Sequence, residues 1–310
     1  MGKRYRIGLL HHGDIDEIWG SVITTYYLQQ ALLRLGHDAY RLSVTRHHDY
    51  PKLIAKKTDF IICEGVPEWQ IPKGIWDTSD KKIFWWLSDL FYDVRAVQKT
   101  NFDAIATNSD DCKILKKNGI ISSRIDLAAD KNIRRQKPND KYKYDFVYLG
   151  NYPHKSKSQM DKLFTPAIKS GSFGLFGNGW ENSSYKGYYK GPIPFQEIGS
   201  LYKSAKFALI LTEAMQMKRA MFNNRVFEVL ASGCSAISEK YEALQNSDFG
   251  KFIIFVDSKT DYSQLIATYE TLVSQRLRKK SSEYVVHNHN YDDRAKKFIE
   301  LFKQVNGEKK

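Results

Sequence analysis

Arg225 and Glu228 stand three positions apart, a spacing that can put a guanidinium and a carboxylate on one face of a helix. They lie in the run Asn224-Arg225-Val226-Phe227-Glu228-Val229-Leu230-Ala231-Ser232-Gly233-Cys234, where Val226, Phe227, Val229 and Leu230 supply a buried side and Gly233 a stop. The N-terminus of such a helix attracts phosphate through its free N–H groups and its dipole. An arginine there adds fork-like donors for a diphosphate, and a carboxylate one turn later can accept two ribose hydroxyls. Together they would make a nucleotide-diphosphate holder. The alternative is an ordinary Arg–Glu pair on an exposed helix face.

A second concentration of polar groups is His11-His12-Gly13-Asp14-Ile15-Asp16-Glu17, directly after the first apolar strand. His12, Asp14 or Asp16 could act as general base on a hydroxyl. The aspartates could instead cap the following helix, and Asp14-x-Asp16 also has the look of a metal-binding pair. Asp89, at the end of the aromatic strand around Trp85-Trp86, is a further candidate base. The glycine-rich turn Gly174-Leu175-Phe176-Gly177-Asn178-Gly179-Trp180 follows a strand but has neither the dinucleotide nor the Walker spacing. His47-His48, His287 and His289 lack the company of metal ligands.

The elements that must position these groups alternate strand and helix. Strands are expected at Tyr5–Leu10, Asp38–Leu42, Asp59–Cys63, Lys82–Trp86, Asp103–Thr107 and Arg124–Leu127, with a helix from Ser21 that ends at Gly36. Residues 131–143 are polar, charged and contain Pro138, and read as a linker. The alternation restarts with strands Tyr144–Leu149, Phe173–Phe176, Phe207–Leu211, Ser235–Ser238 and Phe252–Val256. Their helices are expected at about 156–169, 195–204, 224–232 and 262–277, and an amphipathic helix closes the chain over about 292–305. Strands separated by helices imply parallel sheets with right-handed crossovers. The expected fold is therefore α/β, two Rossmann-like doubly wound domains facing across a cleft: 1–130, linker 131–143, 144–290, and a closing segment 291–310.

The 310 residues suit two domains, and the net charge of +13 favours anionic partners: nucleotide-sugar phosphates, anionic surfaces or nucleic acid. The basic residues gather in part at Arg134-Arg135, Lys137 to Lys143, Arg276 to Lys280 and Lys309-Lys310. Three scattered cysteines, Cys63, Cys112 and Cys234, fit neither a disulfide framework nor a zinc site, which points to a reducing compartment. The apolar stretch Ile7 to Leu10 is too short for a signal peptide, and no uncharged run approaches the ~20 residues that span a bilayer. A cytoplasmic location without a transmembrane segment is expected.

Arg-x-Phe-Glu-x-x-Ala-x-Gly at residues 225–233 resembles the signature of CgeB-like (spore-maturation type) glycosyltransferases, which have the GT-B fold. Further segments resemble the same family in the same order: Phe84 to Asp89, Phe102 to Ser109, Leu127 to Asp130, Phe146 to Asn151 and His289 to Arg294. The resemblance implies that Glu228 binds the nucleotide's ribose and Arg225 faces the diphosphate. It also implies that Gly150 and Asn151 form the loop under the phosphates or sugar, and that Gly177 and Gly179 lie beside the nucleobase. Phe227, inside the signature, counts with the donor-binding residues, and Gly233 lets the helix pack on the next strand. The closing helix would return to the N-terminal domain.

The broader retaining group pairs its ribose glutamate with another seven positions earlier, where this chain has Met221. Glu213, at the end of strand Phe207–Leu211, could reach the sugar instead, or could be a loop residue. The implied activity is transfer of a hexose-like sugar from a nucleoside diphosphate, UDP favoured, to a hydroxyl acceptor, with retention leaned towards. GT-B enzymes do not use an Asp-x-Asp pair for metal, so no metal and no cofactor beyond the donor are expected. The acceptor expected first is a glycan or polysaccharide, and modified DNA second. Two rivals are a non-catalytic nucleotide-sugar-binding protein on the same fold and a dinucleotide oxidoreductase. The oxidoreductase is opposed by the absence of a glycine fingerprint after the first strand.

Overall fold

Short apolar runs bounded by polar residues bury both faces in parallel sheets. The computed structural model describes residues 3–13, 20–45, 57–78, 80–86, 94–152, 156–272 and 275–308. The chain divides into two units, residues 1–127 with 291–310, and residues 128–290.

Among the described residues of the first unit, β1 (Arg6–His11), β2 (Asp38–Ser43), β3 (Phe60–Glu64), β4 (Lys81–Trp86), β5 (Ala104–Thr107) and β6 (Ser122–Arg124) form one parallel sheet. Their order is β2-β1-β3-β4-β5-β6. All of β3 and the last five residues of β4 are buried, as near-continuous apolar runs require. Helix α1 (Gly20–Arg34) and the short helices α2 (Lys73–Trp76), α3 (Val94–Val97) and α4 (Asp111–Lys117) make the crossovers. The closing helix, Tyr291–Val305, belongs to this unit. Arg34 pairs with its Asp292 at 2.6 Å, and its buried Arg294 donates to the carbonyls of Asp126 (2.9 Å) and Leu127 (3.0 Å).

The second unit holds β7 (Phe146–Leu149), β8 (Phe173–Phe176), β9 (Phe207–Ile210), β10 (Ser235–Glu239) and β11 (Ile253–Val256). They are parallel in the order β11-β10-β9-β7-β8. Its helices are α5 (Lys157–Ser170), α6 (Ile198–Ser204), α7 (Ala214–Lys218), α8 (Asn224–Ser232), α9 (Glu242–Gln245), α10 (Tyr262–Ala267), α11 (Tyr269–Leu272) and α12 (Gln275–Asn288). Phe146 stacks on Phe207 at 5.3 Å in a core that also holds Tyr148, Phe164, Trp180 and Leu209.

Both sheets wind the same way: the first strand of each lies between the second and the third. The topological switch points, where such sheets bind ligands, are therefore the carboxyl ends of β1 and β3 in one unit and of β7 and β9 in the other.

Three local readings change. Residues 131–143, expected to link the domains, fold as two 3-10 turns, Ile133–Arg135 and Asp140–Tyr142, with Ile133 and Tyr142 buried on the second unit. The single helix expected over 262–277 is instead α10, α11 and the start of α12. The strand expected at Arg124–Leu127 is Ser122–Arg124; the chain leaves the sheet after Ile125 donates to Thr107 O at 2.8 Å. No helix among the described residues is long and apolar enough to cross a membrane.

Candidate functional site

Asn223 fixes the start of α8. Its backbone is extended, and its side chain turns back to donate to Leu211 O at 3.1 Å rather than capping the helix. The first N–H groups of α8 therefore have no side-chain cap from Asn223 at the carboxyl end of the sheet, where the helix dipole is positive.

Arg225 spans the switch point. Its Nη1 donates to Leu149 O, at the end of β7, across 3.0 Å, and its guanidinium lies over the Tyr148 ring at 5.2 Å. Its Nε is buried with no hydrogen-bond partner. The guanidinium comes so close to the β7 loop that a Cβ on Gly150 would sit 2.3 Å from Nη1. Glycine leaves the guanidinium its place there through the approach of side chains rather than through a left-handed backbone.

Glu228 is 4% exposed and accepts from Asn224 Nδ2 at 3.2 Å. Burial pushes its pKa up to about 7, against the opposing pull of Arg225 and of the Asn224 hydrogen bond. Arg225 and Glu228 make no ion pair within 4.0 Å, so they are not an exposed helix pair but two separately held groups. Beside them the Tyr202 hydroxyl is buried without a partner, and its pKa is raised by burial first and by the charge of Glu228 second. The Tyr148 hydroxyl and Asn223 Oδ1 are likewise buried and unpartnered. Unpaired polar atoms of this kind are costly, and here they cluster.

The loops after β7 and β8 are zipped together. Gly150 N donates to Phe176 O (3.0 Å), Tyr152 N to Asn178 O (2.9 Å), and Asn178 N to Asn151 Oδ1 (2.9 Å). Trp180 Nε1 donates to Gly150 O at 2.6 Å. Gly177, at φ +123°, would drive a Cβ to 2.2 Å from Gly150 O. Gly179, at φ +84°, faces the Tyr152 carbonyl. Gly150, Asn151, Gly177, Gly179, Arg225 and Glu228 are thus brought to one end of one sheet.

The remaining expected residues are placed differently. Glu213 follows β9 and forms a capping box on α7 with Gln216. Phe227 is fully buried between Phe249 (5.2 Å) and His289, on which it stacks at 5.3 Å and 25°. It has no surface to offer a ligand, and the helix periodicity that put it on the buried side already said so. His12 follows β1 in the first unit, with Nε2 3.2 Å from Gly65 O, across that unit's own switch point. Asp14, Asp16 and Asp89, like His47 and His48, lie outside the described residues. Among the described residues, no three His, Cys, Asp or Glu side chains gather as metal ligands.

Four groups escaped the sequence reading: Tyr148, Tyr202, Asn223 and Glu64. Glu64 ends β3, is 1% exposed and accepts from Ser21. A carboxylate closing an apolar strand was the available signal for it. The tyrosine hydroxyls carried none.

Residues 157–300 match the model of a glycosyl transferase-like family. No curated protein matches the sequence. Among solved structures, an alpha-glucosyltransferase in complex with UDP and a DNA containing an HMU base superposes with TM-score 0.69 at 13% identity, over 97% of this chain and 100% of that one. AviGT4, a glycosyltransferase involved in avilamycin A biosynthesis, gives TM-score 0.60 at 12% identity over 98% of each chain. T4 phage BGT, in complex with UDP and Mn2+, gives 0.60 at 14% identity over 97% of this chain and 99% of that one. Residues 157–300 are thus similar to a glycosyl transferase-like family, and the chain shares with GT-B glycosyltransferases an α/β fold of two parallel sheets.

Proposed function

We propose that this protein is a metal-independent glycosyltransferase that moves a hexose-type sugar from a nucleoside diphosphate, UDP favoured, to a hydroxyl acceptor, in the CgeB-like manner its signature resembles. One observation carries the reading: Arg225 and Glu228 sit at the switch point of the second sheet as two separately held groups, one nearly enclosed and the other with a buried, unpaired Nε. Arg225 and the first N–H groups of α8 hold the diphosphate, and Glu228 accepts from the ribose hydroxyls. The loops at Gly150-Asn151 and Gly177–Gly179 lie under the donor. In the transfer, the bond from sugar C1 to the diphosphate oxygen breaks and its electron pair leaves with the nucleotide. A bond from C1 to the acceptor oxygen forms, and the acceptor proton departs. Arg225 and the helix terminus stabilise the charge that grows on the leaving diphosphate.

The first unit takes the acceptor, and the protein works in the cytoplasm. Retention is the stereochemistry favoured, with Glu213 the carboxylate that reaches the sugar from the end of its strand. If the reaction inverts, His12, Asp14, Asp16 or Asp89 supplies the base. A glycan is the acceptor favoured. Modified DNA is the second reading, supported by the net charge of +13 and by structural neighbours solved with DNA. A salt titration of acceptor binding separates the two, because only a phosphate backbone gives a steep slope.

The test is a thermal-shift screen of UDP-, GDP-, dTDP- and CDP-sugars on the full chain and on Glu228→Ala. One nucleotide class should raise Tm in the parent and not in the variant. Stabilisation that survives Glu228→Ala removes the ribose assignment. No stabilisation together with no donor hydrolysis removes the enzyme assignment.

A further inference from the structure

Two basic clusters far apart in the sequence meet at one place in the second unit. Arg134 and Lys203 form one wall of a cavity of about 360 Å³, and Arg278 and Lys279 the other, with Ser232 and Gly233 at its floor. The lining contains no carboxylate.

Both walls are anchored to α8. On one side the 3-10 turn Ile133–Arg135 is pinned by buried Ile133, and Lys203 Nζ donates to Arg134 O. On the other, Ser282 Oγ donates to Ala231 O at 2.5 Å and Arg278 Nε to Gly233 O at 2.6 Å. These contacts use one Arg278 donor and leave its two Nη groups without a carboxylate among the described residues. Lys203 and Arg134 have no carboxylate partner there either; Lys279 reaches Glu283 at 3.9 Å, with both side chains exposed.

Like charges gathered without counter-charge repel one another. The cost is visible at Lys203, whose pKa is lowered by burial first and by Arg278 second. An anion in the cavity relieves it. None of the large apolar side chains exposed among the described residues lies in either wall, so a lipid surface would find nothing to insert. Guanidinium forks and ammonium groups in a concave setting match phosphate oxygens.

We propose that this cavity is a second phosphate-binding site, at the end of α8 opposite Arg225 and roughly 11 Å from it along the helix axis, at about 1.5 Å per residue from Arg225 to Ser232. Its ligand carries a phosphoryl group, either in a small phosphorylated compound or in the phosphodiester backbone of a nucleic acid.

The experiment titrates the full chain at constant ionic strength with inorganic pyrophosphate and, separately, with a short duplex DNA. Four proteins are compared: the parent, Arg225→Gln, and, each in the Arg225→Gln background so that the donor site does not report, Arg134→Ser with Lys279→Ser and Lys186→Ser with Lys190→Ser. The last removes two exposed lysines elsewhere on the same unit. All four must show the same cooperative unfolding. Binding should persist in Arg225→Gln, weaken roughly tenfold in the cavity double variant and stay unchanged in the lysine control. Saturation by pyrophosphate without competition from duplex identifies a small phosphate as the source. Displacement of pyrophosphate by duplex, with a salt slope smaller by about two in the cavity variant, identifies the polymer. The proposal is overturned if neither probe binds the parent, if the cavity variant binds as tightly as Arg225→Gln, or if the lysine control loses as much. It is also overturned if Arg225→Gln abolishes binding.

Discussion

Arg225 and Gly150 occupy space that no third group can share: the guanidinium donates to Leu149 O at 3.0 Å, and a Cβ on Gly150 would lie 2.3 Å from the same nitrogen. The strand-end loop and the helix terminus are therefore fitted to one another, and the position of the cation is set by a residue with no side chain.

Gly150→Ala follows directly. The new methyl must displace the guanidinium, which is the flexible partner, and it also presses on the Tyr148 hydroxyl at 2.7 Å. We expect donor affinity to fall by about tenfold or more, while stability falls by only about 1–3 kcal/mol, the usual range for overpacking. Calorimetric titration with UDP-glucose and urea unfolding of the same sample measure the two effects. Unchanged affinity would mean that the guanidinium does not hold the diphosphate.

The raised pKa of Glu228 gives a pH signature with a definite sign. The folded value of about 7 lies above the ordinary 4.5, so the folded state binds the extra proton between them. Stability contributed by this group is complete below 4.5, is lost as pH rises towards 7, and is constant above that. The loss is roughly 3 kcal/mol at most, at about 1.4 kcal/mol per unit. Glu228→Gln cannot titrate and should show a flatter profile over that window. Donor binding runs the other way, because ribose hydroxyls donate to a carboxylate. Affinity for UDP-glucose, whose diphosphate does not titrate there, should rise as pH passes 7 in the parent and stay level in Glu228→Gln.

Tyr202 tests whether the unpartnered hydroxyls belong to the site. Removing a buried hydroxyl that has no partner costs the folded protein little, and can stabilise it by about 1 kcal/mol. Tyr202→Phe should therefore keep or raise Tm without ligand and yet weaken UDP-glucose binding, by acting on Glu228. A variant that loses stability without ligand would place the hydroxyl in a structural role.

The sequence revealed what is local. Arg225 and Glu228 share a helix face by spacing, and the strands from Phe60 to Glu64 and from Phe207 to Ile210 are apolar runs of strand length. It could not reveal what depends on two elements meeting. Gly177 is needed because a second strand's loop brings the Gly150 carbonyl against it, and Tyr202 nears Glu228 only because α6 packs on α8. The break near Thr268 is of the same kind: Tyr269 turns edge-on to Phe207 at 5.1 Å, and that tertiary contact interrupts a run that is periodic in sequence. Likewise the charges of 131–143 read as solvated linker, while Tyr142 within them donates to Glu197 at 2.8 Å on the second unit.

Phe227 separates packing from binding within one signature. It lies one residue from Glu228, yet its ring is enclosed by Phe249 and His289 and is wholly inaccessible. Phe227→Leu keeps an apolar side chain but gives up two ring contacts, which should cost about 1–3 kcal/mol in urea unfolding. Because the ring faces no ligand, KM for the donor should stay within about twofold of the parent at a temperature where both proteins are folded. Glu228→Ala should do the reverse, raising KM with little loss of stability, since it removes a buried, partly charged group. If Phe227→Leu instead raised KM as steeply as Glu228→Ala, the ring would have to reach the donor in the loaded protein, and α8 would have to turn to let it.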